Sequence, residues 1–402
     1  MPNSRPRLSA LALGAAAALM LLAAACAGDG GSKFQLGPPL EGEPSPIAVP
    51  AGPQPAPGIA VPDGFLAYEF ASDLELPSVI GFDPLGRLFV AELRGRVSII
   101  EDGDGNGLAD EPRTFWSDEN EQYVSGLDIA ADGSVFISVQ GRVLALRDSD
   151  GDGLAEERHT VIGGLPMGQH WNNGVGLGPD GKLYVANGST CNLCPQDDER
   201  SAAILRAEPD GSDLEVYASG LRNAFDFIFV GSEMWATDNG IDFPREAEAP
   251  GYETVLDSPD ELNFVVEGRH YGWPECVATA VDIRPDGCDG KVAPAHAFDP
   301  YSSSNGLALY DGDAFPEEYR GDLFVAQFGS NFDSPRQTGR KIVRVKLAPA
   351  EDGAGGSPYR AEEFDFATGF GQPLDVVVDA AGTIFVTDMG AGKVYRIVWT
   401  GE

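Results

Sequence analysis

The chain has 402 residues and a formal charge of −36 at neutral pH. Such acidity excludes nucleic acid and anionic lipid surfaces as partners and favours cations such as calcium. With 43% hydrophobic residues the composition is globular, and the length suits one large all-β domain as readily as two small ones.

In chain order, residues 1–25 read as a signal peptide. Arg5 and Arg7 form a basic start, and Leu8 to Ala25 is an unbroken apolar run ending in small residues. The sequence "LLAAAC" resembles a lipoprotein processing site, so Cys26 is expected to carry an acyl anchor. The expected location is periplasmic or cell-surface, with membrane contact only through that anchor. Residues 26–63 are rich in Pro and Gly without apolar periodicity and read as a tether.

From 64 to 402 one pattern recurs: a Gly turn, a polar residue, then an apolar–aromatic–apolar strand. The copies are "PLGRLFVAE" at Gly86, "ADGSVFISV" at Gly133, "PDGKLYVAN" at Gly181, "VGSEMWATD" at Gly231, "YRGDLFVAQ" at Gly321 and "AAGTIFVTD" at Gly382. Successive spacings of 47, 48 and 50 residues match a propeller blade, and the later gaps of 90 and 61 require insertions. Apolar residues alternate or run in short bursts bounded by Gly, Pro, Asp and Asn, with almost no helical period. The expected fold is an all-β, six-bladed β-propeller, with Phe65 to Ala71 closing the ring against the last blade. A pair of β-sandwiches is the alternative.

In such a ring the entrances to the first strands and the exits of the second strands open on one face. The entrances carry Ser78, Ser125, His170 with Asn172, Arg222 with Asn223, Ser303 to Asn305, and Gln372. The exits carry Glu92, Gln140, Asn187, Asp238 with Asn239, Gln327 and Asp388. Together they predict a polar funnel suited to a hydroxylated ligand. Two loops follow the early part of a calcium-loop pattern. One offers Asp102, Asp104, Asn106, the Leu108 carbonyl and Asp110; the other offers Asp148, Asp150, Asp152, the Leu154 carbonyl and Glu156. Arg113 and His159 stand where an EF-hand would have its final Glu, so a structural calcium in a hairpin is expected. Cys191, Cys194, Cys276 and Cys288 suggest two disulfides, with 191–194 and 276–288 the simplest of three pairings. "CNLCP" lacks the histidine of a haem-attachment motif.

The stretches "HWNNGVGLGPDGKLYV", "ASGLRNAFDF", "DELNFVVEGRHYGWP" and "GLALYDGDAFPEEYRGDLFVAQFGS", in this order, resemble the soluble PQQ-dependent glucose/sorbosone (aldose sugar) dehydrogenases. "GSTCNLC" places the resemblance nearer the sorbosone-dehydrogenase-like branch. The resemblance implies pyrroloquinoline quinone (PQQ) and calcium in the funnel, a sugar or polyol substrate and a separate electron acceptor. It implies His170 as the general base, and Arg222, Asn223 and Asn239 facing the cofactor, with Gln372 at a further cofactor position. It also implies that the Gly240 and Ile241 carbonyls hold the cofactor's calcium. The chain departs from the family where Gly329 stands for a lysine, and Gln372 and Leu374 for two arginines. Arg336, Arg340 and Lys341 are the nearby cations. Two other readings stay open: a non-catalytic tethered propeller that binds saccharide or protein, and a lactonase-type hydrolase with Glu92, Asp238 and Asp388 as metal donors.

Overall fold

The computed structural model describes residues 33–242, 258–277, 281–282, 287–330, 336–350 and 357–401. The expected signal peptide and Cys26 lie outside them. Strands pair into six four-stranded antiparallel sheets arranged as a six-bladed β-propeller. Blade 1 comprises β2 (Pro77–Phe82), β3 (Leu88–Glu92), β4 (Arg96–Ile100) and β5 (Arg113–Ser117), following β1 (Phe65–Ala71). Blade 2 comprises β6 (Gly126–Ile129), β7 (Val135–Val139), β8 (Arg142–Arg147) and β9 (Glu157–Gly163). Blade 3 has β10 (Asn172–Leu177), β11 (Leu183–Asn187), β12 (Ala203–Ala207) and β13 (Glu215–Ser219). Blade 4 has β14 (Ala224–Val230), β15 (Glu233–Asp238), β16 (Pro259–Val265) and β19 (His296–Pro300). Its insertion holds the short pair β17 (Cys276–Val277) and β18 (Val281–Asp282) and the Cys276–Cys288 disulfide. Blade 5 has β20 (Ser304–Leu309), β21 (Leu323–Gln327), β22 (Lys341–Pro349) and β23 (Tyr359–Thr368). Blade 6 has β24 (Pro373–Val378), β25 (Ile384–Asp388) and β26 (Lys393–Trp399), and β1 pairs with β26 from Phe65↔Trp399 to Ala71↔Val394. The N-terminal strand thus closes the ring, as its apolar pattern predicts.

The second strand of each blade is buried along almost its whole length, because neighbouring blades cover both its faces. That is why these segments read as continuous apolar runs rather than as alternation. The first strands β2, β6, β10, β14, β20 and β24 touch in ring order around the axis. Five of them shift register at the entrance, between Pro77/Ile80, Asn172/Val175, Ala224/Phe227, Ser304/Leu307 and Pro373/Asp375. Such bulges re-aim side chains at the mouth of a sheet.

Along the axis, alternate blades contribute a carboxyl to the next blade's backbone. Asp128 accepts from the Leu177 N–H (2.8 Å), Asp226 from Leu307 (3.3 Å) and Asp375 from Ile80 (2.9 Å). Gly174 and Gly306 on the intervening blades make room, since a Cβ at either would meet Asp226 or Asp375. Burial pushes all three carboxyls up, and the charges of Asp128 and Asp226 add to this at Asp226 and Asp375 respectively; Asp226 reaches about 7. A raised folded-state pKa means that the folded chain binds more protons than the unfolded one between about pH 4 and pH 7. Stability from these groups is therefore greatest in acid and falls as pH rises through that window. Asp226→Asn keeps an oxygen for Leu307 but cannot ionise. Relative to wild type it is expected to gain about 2–3 kcal/mol between pH 5 and pH 8, read from paired thermal melts; parallel melting curves at both pH values would refute the ionisation penalty.

One expectation is corrected. The stretch read as a tether packs on the propeller from Phe34 onward. Phe34 is buried against Phe136 and lies under Arg147. The Leu40 and Ser45 N–H groups bond to Ala131 and Leu85, the Ile47 and Ala48 carbonyls accept from Arg396, and Ala60 bridges to Thr368. Residues 34–63 form a strap that runs past blades 2, 1, 6 and 5. Its anchors are isolated side chains and backbone groups in irregular chain, so no periodic signal marked it.

Candidate functional site

The entrance of β10 and the exit of β11 bring His170 against Ser189. His170 Nδ1 lies 3.0 Å from Ser189 Oγ, and that hydroxyl donates to the Cys191 carbonyl at 2.7 Å. A serine hydroxyl has one proton. With it given to Cys191, Ser189 Oγ accepts from His170 Nδ1–H, and Nε2 keeps its lone pair. Burial, with the Arg222 charge behind it, lowers the His170 pKa to about 3, against a smaller opposing pull from Asp242. The imidazole is neutral throughout the physiological range. Gly188 allows the close approach: a Cβ there would sit 2.5 Å from His170 Cβ and 2.6 Å from Asn223 Oδ1.

Arg222 is almost wholly buried at the entrance of blade 4. Its Nε donates to the Asn192 carbonyl (3.1 Å), Nη1 to the Asn239 carbonyl (3.2 Å), and Nη2 to Asn192 Oδ1 (2.6 Å) and Asp242 Oδ2 (2.9 Å). Among the described residues these bonds use four of its five N–H groups and leave one on Nη1. Desolvation pushes the Asp242 carboxyl up, but the Arg222 charge, with hydrogen bonds from Arg222 and Gln169, outweighs it and holds the group below the usual carboxylate range.

Beside this pair runs a row of amides in one direction. Asn173 donates to Asn223 (2.8 Å), Asn223 to Asn239 (3.0 Å), and Asn239 to Asn305 (3.2 Å) and the Ser304 carbonyl (2.9 Å). Blades 3, 4 and 5 are thus tied together at the funnel mouth. Gly240 and Ile241 have their N–H groups pinned by Asp260 Oδ1 (2.8 Å) and Ser258 Oγ (3.1 Å). Among the described residues their carbonyls accept no hydrogen bond. Asp260 also holds Ser302 Oγ and the Ser304 N–H, both at 2.8 Å, and so fastens this loop to blade 5.

Of the expected site residues, the structure brings together His170, Arg222, Asn223, Asn239, Gly240 and Ile241. Gln372 lies at the entrance of blade 6, with its N–H bonded to Asp388 (2.7 Å). The carboxylates considered as hydrolase metal donors cap strands instead. Asp238 accepts the N–H groups of Arg222 (2.9 Å) and Asn223 (2.6 Å), and Asp388 those of Gly371 and Gln372 (2.7 Å each). Glu92 takes the Glu75 N–H and a two-point bond from Arg96. Ser78, Ser125 and Asn172 likewise bond to backbone of their own or an adjacent blade. Sequence reasoning missed Ser189, Asn192 and Asp242, which only the fold places beside His170 and Arg222.

Gly329, expected from the dehydrogenase resemblance to replace a lysine, sits at φ +102°, and a Cβ there would lie 2.6 Å from Arg340 Cγ. Of the three nearby cations, the Arg340 stem therefore crosses this point, while Lys341 is bonded to Asp365 (2.5 Å) and pairs with Glu363 (3.3 Å). Leu374 is buried. In the second acidic loop, carboxylate oxygens of Asp148, Asp150, Asp152 and Glu156 all lie within 4.8 Å of one another. The carboxylates of the first loop form no such group: Asp102 and Asp104 bond to the Asn106 N–H, and Asp110 to that of Gly103. Both disulfides form in the simplest pairing.

Fold and site define a β-propeller with a half-buried, neutral histidine and a buried arginine at one mouth. Residues 55–389 match the family described as Domain of unknown function (DUF7133), and the chain belongs to that family. An uncharacterized protein of Borreliella burgdorferi is 29% identical over 234 residues, which are 54% of this chain and 57% of that protein. The alignment thus spans little more than half of that relative's length. Among solved structures, the holo PQQ domain of pyranose dehydrogenase from Coprinopsis cinerea superposes with a TM-score of 0.71 at 18% identity, over 88% of this chain and 100% of that one. PQQ-bound aldose sugar dehydrogenase from Streptomyces coelicolor does so with a TM-score of 0.62 at 18% identity, over 84% and 99%. At such identities the likeness establishes the fold.

Proposed function

We propose that this chain oxidises a hydroxyl of an aldose sugar or related polyol with PQQ and calcium, in the manner of the sorbosone-dehydrogenase-like branch. The observation that carries the reading is the convergence of a neutral His170, its Nε2 lone pair uncommitted among the described residues, with buried Arg222 beside the amide row. The donor set fits the cofactor at this end. Arg222 has one N–H left for a carboxylate, Asn223 and Asn239 border the same space, and the Gly240 and Ile241 carbonyls suit a hard cation. PQQ held there would supply the hydride acceptor for the carbinol carbon. His170 Nε2 takes the hydroxyl proton, which is work for a neutral imidazole. Ser189 holds the ring in register, and Arg222 offers fixed positive charge where negative charge develops. Gln372 contributes an amide where the family has a cation, and Arg340 brings a guanidinium stem over Gly329. PQQ reduced there would need a separate electron acceptor.

The test is a PQQ titration of the mature chain, strap included, with and without calcium, followed by a panel of aldoses with an artificial acceptor. Saturable, calcium-dependent binding with oxidation of at least one sugar supports the reading. No binding at high micromolar PQQ to folded, calcium-loaded protein would sink it, and a saccharide-binding propeller would take its place. Export with acylation at Cys26 belongs to the same reading, and the two disulfides suit an oxidising compartment.

The loop from Asp148 to Glu156 is read as a structural calcium site. With the affinity usual for extracellular sites, about 10⁻⁴–10⁻³ M, 10 mM calcium stabilises the fold by about 1.4–2.7 kcal/mol. Asp150→Asn with Asp152→Asn should erase most of the resulting rise in Tm. An unchanged calcium response in that variant would place the ion elsewhere.

A further inference from the structure

The loop Cys191–Cys194 takes no part in the reaction proposed above, yet the site's polar contacts run through it. The Cys191 carbonyl receives the Ser189 proton and so sets which nitrogen of His170 is bare. Asn192 receives two of the four Arg222 bonds, one on its carbonyl and one on Oδ1. The same Oδ1 accepts the Asp242 N–H (2.9 Å), and Asn192 Nδ2 donates to the Asp242 carbonyl (3.2 Å). The base, the cation and the cation's carboxylate partner are therefore all held by two consecutive residues.

Those two residues are in turn held. The Cys191–Cys194 disulfide closes the loop on one side. Leu193 is buried with Ile241, Trp273, Val277 and Ala202, so the loop also packs on the segment that offers the calcium carbonyls. Gln196 clamps it from outside: its Nε2 donates to the Cys194 carbonyl (3.2 Å), and its Oε1 accepts the Thr190 N–H (2.8 Å). A loop this short, irregular and partly exposed would otherwise have to hold its carbonyls in place against its own conformational entropy.

We propose that the disulfide-closed loop Cys191–Cys194 is the positioning device of this site, fixing the tautomer of His170 through Ser189 and aiming Arg222 through Asn192. Ser189, Cys191 and Asn192 are positioning residues, since each acts through another group. The inference rests on the dehydrogenase reading only where catalysis is concerned; the tautomer and the Arg222 geometry do not depend on it. Supporting groups of this kind typically matter by about 10–100-fold when removed.

The experiment is side-chain ¹⁵N NMR of the four histidines, with His170 assigned by His170→Gln, in the full mature chain, alongside kinetics with PQQ and calcium. Wild type is expected to show His170 with hydrogen on Nδ1 and a bare Nε2. Cys191→Ala with Cys194→Ala, and separately Ser189→Ala, are expected to give a mixture of tautomers and to lower kcat about 10–100-fold with KM changed little. Ser189→Thr should restore both. Asn192→Ala should leave the His170 tautomer in place and weaken PQQ binding about tenfold or more. If the double cysteine variant does not fold, the Ser189 and Asn192 variants make the same test. A His170 tautomer and a kcat that do not respond to the cysteine or Ser189 variants overturn the proposal while leaving the dehydrogenase reading intact. The expected tautomer shifts in a protein that oxidises no sugar would leave the proposal standing and remove the dehydrogenase reading.

Discussion

His170→Ala is expected to lower kcat by about 10²–10⁴-fold, the usual contribution of a general base, while PQQ binding stays within about threefold, because Arg222 and the amide row remain. The pH profile should be as telling as the substitution. With its pKa lowered to about 3, His170 is already unprotonated at pH 5. In the cofactor-free protein His170 should therefore show no titration near 6.5, where an ordinary histidine titrates. The same shift has a consequence for stability. Because the folded-state value lies below the unfolded one, the unfolded chain takes up the proton first as pH falls. The contribution of His170 is complete above about pH 6.5 and is lost progressively from there towards pH 3. Arg222 is the second cause of the shift, after burial. An anion bound at Arg222 would cancel part of that repulsion and raise His170 toward working pH, where a base is more effective. NMR titration of His170 with and without PQQ reads this directly. Full activity in His170→Ala would remove the histidine from the mechanism.

Much of the fold could be read from the sequence because a blade is a local object. A Gly turn and a short apolar strand repeat six times, and each copy has to be buried on both faces by its neighbours. Ring closure by Phe65 to Ala71 was legible for the same reason, as an apolar strand with no other partner. The strap was not. Phe34, Leu40 and Ile47 are single contacts in Pro-rich chain, and composition alone cannot separate an extended segment that packs from one that does not. The funnel shows the same division. His170, Arg222 and Asn223 were marked by residue type beside a strand entrance. Glu92, Asp238 and Asp388 occupy equally prominent positions, yet each is used by the backbone it faces. Whether a carboxylate at a strand end serves a ligand or its own neighbours depends on the entrance bulges and on which N–H groups lack a partner, and neither is written in spacing. Ser189 and Asn192 flank a cysteine whose pairing drew attention to the bridge rather than to the carbonyls beside it.

Arg396→Met is expected to cost about 3–5 kcal/mol, the usual loss when one partner of a buried ion pair is removed. Arg396 is fully buried on β26, where the ring closes. Its guanidinium meets Asp379 Oδ2 (3.2 Å), Thr383 Oγ1 (2.9 Å) and the Tyr68 hydroxyl (3.2 Å), and it also donates to the Ile47 (2.8 Å) and Ala48 (2.6 Å) carbonyls of the strap. It stacks on Phe385 as well, 4.9 Å from the ring centroid. Methionine fills similar volume but leaves the Asp379 carboxylate buried without its cation and the strap carbonyls without a donor. The strap and the closing strand β1 should therefore loosen together, since Tyr68 lies on β1 and Ile47 on the strap. Thermal melting should shift down by roughly 4–6 °C for a domain of this size, and hydrogen exchange should rise in residues 45–50 and in β1 before the rest of the propeller. Asp379→Asn combined with Arg396→Met removes both charges and should recover a large part of the loss, because the stranded carboxylate is the costliest element. If the double variant melts no higher than Arg396→Met, the strap carbonyls rather than the ion pair carry the stabilisation. A melting temperature unchanged in Arg396→Met would mean that the ring is closed by the β1–β26 pairing alone.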